Sequence, residues 1–393
     1  MIPPPAVTAF AVAVVKSKLA ELPAIEPHFT PPPPTPDSLA ERLRAAGLLT
    51  RFQAEKLLAG RWQGLSVGPY HLLCPVARGG SGIVYLARDT RRPAGTPTPR
   101  VVALKVLSPQ RARAEPRTLA RFRREMDIGR RIPPHPQLVR TFDSGEDGGV
   151  HYIALSYAPG RTVRSAVGAD GPLSVPRATR VFVDVARGLH AAHQAGYIHR
   201  DVKPSNVILS ASGRGTLLDF GFALRRGETP TAADAEVIGG LGYTLGTSDY
   251  LPPEQATNAV AVGAETDIYS LGCSLYYALA GRPPFPAATA REKMRLHQTA
   301  DPLPLAALNR AVPAEVSAMV GWLMNKRPEE RPQSAGMVAD ELERWADPAI
   351  PTAAMVSYDA AWETLMLERV ETAWVASRAA PTDGVEVLTP DEG

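Results

Sequence analysis

His199-Arg200-Asp201-Val202-Lys203-Pro204-Ser205-Asn206 decides how this chain reads. A carboxylate is followed two residues later by an ammonium and five residues later by an amide. That spacing suits a proton acceptor, a phosphate clamp and a metal-ligating oxygen converging on one point from one loop. Asp219-Phe220-Gly221 comes directly after the apolar strand predicted at Thr216–Leu218. It supplies a second carboxylate for Mg²⁺, which prefers oxygen ligands and bridges phosphates.

Upstream, Arg78-Gly79-Gly80-Ser81-Gly82-Ile83-Val84 lies between two predicted strands. Its glycines would let backbone N–H groups approach phosphate oxygens, although a glycine-rich hairpin turn explains the stretch equally well. Val102-Ala103-Leu104-Lys105 places a lysine among apolar strand residues, an expensive arrangement unless the ammonium meets an anion. The basic helix predicted at Thr118–Ile132 offers Glu125 as such a partner, with a solvated salt-bridge helix as the alternative. Downstream, Pro252-Pro253-Glu254 closes a flexible segment, and Arg331 is a candidate partner for Glu254.

Strands are predicted at Tyr70–Val76, Ile83–Ala87, Val101–Leu107, Leu138–Phe142 and His151–Ser156. From about Ala158 to Trp345 the pattern is mostly helical, which argues for an α+β arrangement in two segregated parts. The 393 residues carry 43 Lys+Arg against 40 Asp+Glu, too balanced to imply a nucleic-acid partner. Two cysteines, Cys74 and Cys273, fit a reducing compartment. No run reaches the ~20 apolar residues of a membrane helix. The expectation is a soluble, cytoplasmic protein without a membrane span.

The ends read differently. Residues 1–37 are proline-rich, with an apolar patch at 6–15 that could form a short helix, and are expected to form a semi-rigid, mostly disordered arm. Residues 38–63 are expected to form a short helical hairpin, with capping boxes at Ser38/Glu41 and Thr50/Gln53 and stops at Gly47 and Gly60. The tail 348–393 holds one amphipathic candidate, with the stripe Tyr358, Trp362, Leu365, Met366, Val370 and Trp374. Residues 38–60 and 355–376 are candidate partner-docking segments, with plain packing as the alternative.

Taken in order, these features resemble the eukaryotic-like (Hanks-type) serine/threonine protein kinases, above all their bacterial branch. The likeness runs from about Tyr70 to Trp345 and includes Asp267-Ile268-Tyr269-Ser270-Leu271-Gly272 and Gly281-Arg282-Pro283-Pro284-Phe285. It implies a bilobal protein-kinase fold: an N-lobe at 68–157 with a five-stranded antiparallel sheet and one helix, and a mainly helical C-lobe at 158–347. It also implies ATP and Mg²⁺ as cofactors and proteins with Ser/Thr acceptors as substrates. Lys105 would hold the α/β-phosphates, positioned by Glu125. Asp201 would accept the hydroxyl proton, Lys203 would neutralise the transferring phosphoryl group, and Thr247 would shape the acceptor site. Asn206 and Asp219 would hold Mg²⁺. The nucleotide would meet Ala77, Arg78, Gly79, Gly80, Ser81 and Gly82 in the glycine-rich loop. Its purine would lie between Val84, Ala103 and Leu209, with Leu155 as gatekeeper and the hinge Ser156, Tyr157 and Ala158 along its edge. A pseudokinase scaffold acting through its helical extensions is the alternative. The presence of Lys105, Asp201, Asn206 and Asp219 together speaks against it.

Three departures from the family pattern stand out. Ala77 replaces the first glycine of the loop, which is tolerable if its φ is negative. Pro252 replaces an alanine. Gly129, one turn after Glu125, stands where an apolar side chain is expected over Phe220 and His199. The sequence therefore predicts a poorly held helix, and a higher basal activity for Gly129→Leu. Arg200 before Asp201 suggests pairing with a phosphate on Thr229, Thr231 or Thr244.

Overall fold

The computed structural model describes residues 3–79, 82–92, 100–227, 248–257, 263–350 and 360–379. In the last stretch, side chains are described for 365–376. Numbering only helices of eight or more residues, the chain begins with α1 (Pro5–Lys16), α2 (Pro36–Ala45) and α3 (Arg51–Leu58). Strands β1 (Ser66–Val67), β2 (Tyr70–Gly79), β3 (Gly82–Asp89) and β4 (Val101–Leu107) follow. Helix α4 (Pro116–Arg131) separates them from β5 (Thr141–Asp147) and β6 (Val150–Leu155). Next come β7 (Arg161–Thr162), α5 (Val163–Asp170), α6 (Val175–Gln194) and β8 (Tyr197–Ile198). The short strands β9 (Val207–Leu209), β10 (Gly215–Leu217) and β11 (Leu224–Arg225) precede α7 (Ala264–Ala280) and α8 (Ala290–Thr299). Helices α9 (Ala314–Leu323), α10 (Ala335–Glu343) and α11 (Ala360–Ala379) are the last elements among the described residues.

These elements divide into two compact units, 1–114 with 142–157 and 356–393, and 115–141 with 158–355. The first is built on a sheet ordered β1-β2-β3-β4-β6-β5, in which β2, β3, β4 and β6 pair antiparallel in that order. The sequence predicts five strands; the sixth is the two-residue β1 paired to β2. The strand predicted at 138–142 is displaced to 141–147, and Leu138 makes only a single bridge to Leu217. The second unit is mainly helical around a core that includes Phe182, Leu189, Ile268, Tyr269, Leu271 and Leu275.

The expectation of a disordered arm at 1–37 is overturned for residues 3–37. Pro5 and Pro36 open α1 and α2, as proline does at a first helical turn where its missing N–H costs nothing. Val7, Phe10, Ala11 and Val14, spaced as one face of a helix, are buried together with Leu39, Leu43, Phe52 and Leu57. This layer shares a core with Tyr85, Ala87, Val102, Leu104 and Ala154 of the sheet. Alternation puts those residues on one face of β3 and β4 and Val84, Leu86, Ala103 and Lys105 on the other. The α2 cap is also corrected: Thr35, not Ser38, is the N-cap, and Ser38 is its reciprocal partner. The Thr50/Gln53 box stands as predicted, and Gly47 and Gly60 take positive φ where their helices end.

The tail is helical as expected, with Met366 and Val370 buried, but Leu365 is 43% exposed and Leu367 packs in its place. Tyr358 and the side chain of Trp362 lie outside the described residues.

Candidate active site

The loop 199–206 lies between β8 and β9 in the second unit. Antiparallel pairing of Val207 with Leu217 sets Asn206 beside Leu218, whose N–H donates to the Asn206 carbonyl at 2.8 Å. One hairpin thereby delivers Asn206 at its start and Asp219 just past its end. Asp201 is 5% exposed, and its carboxylate accepts from Lys203 Nζ at 2.7 and 2.9 Å. Asn206 Nδ2 donates to Asp201 Oδ2 at 3.0 Å and to its backbone carbonyl at 2.9 Å. The three residues singled out by spacing thus form one hydrogen-bonded cluster. Asp219 has φ 63° and accepts the Gly221 N–H at 3.0 Å, a left-handed backbone uncommon for a non-glycine residue and frequent at functional sites.

Sequence reasoning missed what holds this loop. Asp267, fully buried in the first turn of α7, accepts the backbone N–H groups of His199 at 2.8 Å and Arg200 at 2.7 Å, and His193 Nε2 at 2.7 Å. Burial alone would raise its pKa, but these donors hold its carboxyl below the usual carboxylate range. The signal was available: Asp267 opens a quoted motif, though spacing alone gives it no target. His199 Nε2 lies 2.9 Å from the Leu218 carbonyl, while its Nδ1 faces the Asp201 N–H at 3.2 Å. A carbonyl only accepts and an amide only donates, which fixes the Nε2–H tautomer. The His199 ring packs edge-on against Phe220 at 4.8 Å between centroids.

Glu125 is 4% exposed in α4, in this same unit. Its Oε2 would lie 3.6 Å from a Cβ at Gly221. Arg121 of the same helix stacks on Phe222 at 3.8 Å, and Arg124 Nε donates to the Ala223 carbonyl at 2.7 Å. Helix α4 is therefore fastened to the segment after Asp219. The vacancy inferred at Gly129 is overturned. A Cβ there would meet Thr141 Oγ1 at 2.2 Å and Thr141 Cβ at 3.1 Å. The cavity bounded by Gly129, Ile132, Leu138 and Phe220 is about 10 Å³, too small for a leucine side chain. Glycine here permits close approach to Thr141 instead of leaving a hole. Glu254 and Arg331 form the anticipated pair, bidentate at 2.7 and 2.8 Å, with the Arg331 side chain fully buried.

In the first unit, Lys105 is 6% exposed on β4, paired to Val84 and Ile153. Ala103, on the same face, is buried, and Leu155, Ser156 and Tyr157 are half-buried at and beyond the end of β6. Ala158 and the buried Leu209 belong to the second unit. Ala77, exposed and paired to Val84, is absent from the positive-φ residues, so its methyl group is accommodated as the sequence required. Arg78 and Gly79 continue that strand, exposed, and Gly82 has φ 134° with space for a Cβ only 2.3 Å from the Val106 carbonyl. Gly80, Ser81, Thr229, Thr231, Thr244 and Thr247 lie outside the described residues.

Residues 70–342 match the protein kinase domain, and the chain belongs to the protein kinase family. Its relatives include the serine/threonine-protein kinase PknB of Mycobacterium tuberculosis, 36% identical over 292 residues, or 73% of this chain and 44% of that protein. The serine/threonine-protein kinase pkn2 of Myxococcus xanthus is 37% identical over 284 residues, covering 70% of this chain and 32% of its own length. The chain thus spans less than half the length of these relatives. The resemblance to bacterial serine/threonine kinases is borne out. The family implies use of ATP and Mg²⁺. No described helix is long and apolar enough to cross a membrane.

Proposed function

We propose that the chain transfers the γ-phosphate of ATP to serine and threonine hydroxyls of proteins. The observation that carries this reading is the Asp201–Lys203–Asn206 cluster at the head of the hairpin that also bears Asp219. Asp201 accepts the acceptor hydroxyl's proton, and Lys203, two residues on, neutralises charge on the phosphoryl group in flight. Lys105 holds the α/β-phosphates and Glu125 orients it. Val84, Ala103 and Leu209 enclose the purine, whose edge meets the backbone at 156–158. The oxygen donors of Asn206 and Asp219 suit Mg²⁺, which commonly takes one or two protein oxygens and completes its shell with phosphates and water. Bound there, the ion would neutralise phosphate charge. Thr247 shapes the acceptor position, and a phosphate on Thr229, Thr231 or Thr244 pairs with Arg200.

Incubation with labelled ATP, Mg²⁺ and a basic protein, followed by phosphoamino-acid analysis, tests the proposal. Phosphoserine and phosphothreonine are expected, and mass spectrometry of 222–248 should find phosphate on the chain itself. Phosphotyrosine alone, or no transfer, would refute the reading.

A further inference from the structure

The helical segment before the kinase domain has a task at the glycine-rich strand. Strand β2 carries two bulges against β3. Leu73 falls between the pairs Leu72–Ala87 and Cys74–Leu86, and Val76 falls between Pro75–Tyr85 and Ala77–Val84. A bulge leaves a residue outside the ladder and lets the strand bend, so its backbone groups need partners from elsewhere. At the first bulge, helix α3 provides two. Thr50 Oγ1 donates to the Leu73 carbonyl at 2.6 Å, and Gln53 Nε2 donates to the Leu72 carbonyl at 2.8 Å. Both residues also cap their own helix: Gln53 Oε1 accepts the Thr50 N–H at 2.8 Å, and Thr50 Oγ1 accepts the Gln53 N–H at 3.2 Å. Thr50 and Gln53 are 7% and 2% exposed, so water does not readily replace these bonds.

The same bulge is covered on its other side by α11. Val370 packs with Leu73, Cys74, Leu86 and Val101, and Cys74 Sγ lies 4.0 Å from the Val370 carbonyl. The two helices also hold each other: Glu371 Oε1 accepts the Arg51 N–H at 2.8 Å, and Trp374 packs edge-on against Phe52 at 5.6 Å between centroids. The segments 38–60 and 355–376, read from sequence as docking candidates for a partner, meet here within one chain. Leu86 and Val101 lie on the sheet face that carries Val84, Ala103 and Lys105, and β2 runs on from this bulge, through the second one at Val76, into Ala77, Arg78 and Gly79.

We propose that Thr50 and Gln53 are positioning residues for the glycine-rich turn: with α11 they clamp the β2 bulge and so hold the strand that presents Ala77–Gly82 to the nucleotide. The proposal rests on the ATP-binding role of that turn. Losing one buried hydrogen bond is worth about fivefold in an equilibrium constant. Gln53→Met keeps the side-chain length and removes both the amide donor and the cap. It is expected to raise the KM and Kd for ATP roughly fivefold while kcat stays within about twofold. Thr50→Ser keeps the hydroxyl and should behave as the unmodified chain, whereas Thr50→Val should follow Gln53→Met. A second readout needs no catalysis. Cys74 and Cys273 are the only two cysteines and both are fully buried, Cys74 at the clamp and Cys273 in α7. Peptide mapping after timed alkylation should show Cys74 reacting faster in Gln53→Met and Thr50→Val, with Cys273 unchanged. Unchanged ATP affinity in Gln53→Met overturns the proposal, and so does equal acceleration at both thiols, which reports general unfolding. Should the unmodified chain bind no ATP, the kinase reading fails by itself, and the labelling pattern still decides whether the clamp exists.

Discussion

The loop around Asp201 and the strand leading to Gly82 are fixed by opposite means. The loop is held from inside the matched kinase domain: Lys203 and Asn206 grip Asp201, while the Asp267 carboxylate ties down His199, Arg200 and His193. The bulged strand is held from outside it, by Thr50 and Gln53 before residue 70 and by Val370 after residue 342. A buried carboxylate with three donors is stiff because moving any of them strands a charge. A clamp of neutral hydrogen bonds and apolar contacts is softer, and would suit a strand whose turn admits nucleotide as proposed above.

Asp267 is where a substitution should do the most damage. Asp267→Asn turns an amide N–H₂ toward backbone N–H donors and is expected to destabilise the second unit by about 3 kcal/mol, with transfer activity lost well below the melting temperature. A melt and an activity assay on the same sample check this; unchanged melting would mean the loop is held otherwise. Next in size is Gly129→Leu, which drives side-chain atoms into Thr141 and should cost about 2 kcal/mol, lowering the melting temperature instead of raising basal activity. Thr141→Gly in the same chain should recover part of the loss. Elevated activity with unchanged stability would restore the original reading of that position.

A third test varies pH. Burial, helped by the nearby Lys326 and Lys293 charges, lowers the pKa of His297 to about 3. The unfolded chain takes up this proton near pH 6.5 and the folded chain only near 3, so stability falls as pH drops through that window, by about 1.4 kcal/mol per pH unit at most. His297→Gln should flatten that slope. Asp267, whose folded pKa lies below the unfolded one, contributes stability above about pH 4 that is lost in stronger acid. Denaturation between pH 7 and 3 separates the two: an unaltered slope in His297→Gln would remove the histidine from the account.

Residues that carry charge at short spacing were legible in the sequence. The Asp201–Lys203–Asn206 grouping and the Asp219 carboxylate after its strand could be named from type and separation, and Glu254–Arg331 from complementary charge across a long separation, because such side chains are costly to bury without one another. What the sequence concealed was the partner that carries no charge. Asp267 binds backbone groups, which have no sequence signature, and Thr141 fills the place beside Gly129 from a different element. In the arm, Val7, Phe10, Ala11 and Val14 had helical spacing, but the flanking prolines suggested a linker where they in fact start helices. Thr50 and Gln53 were recognised as a cap; their second set of bonds depends on a bulge that no alternation pattern announces.

The most direct test is the rate of γ-phosphate transfer from ATP by Asp201→Asn beside the unmodified chain, with nucleotide affinity measured on both. The account predicts a fall of about 10²- to 10⁴-fold in transfer with ATP affinity essentially preserved. Transfer at the unmodified rate by Asp201→Asn would contradict it.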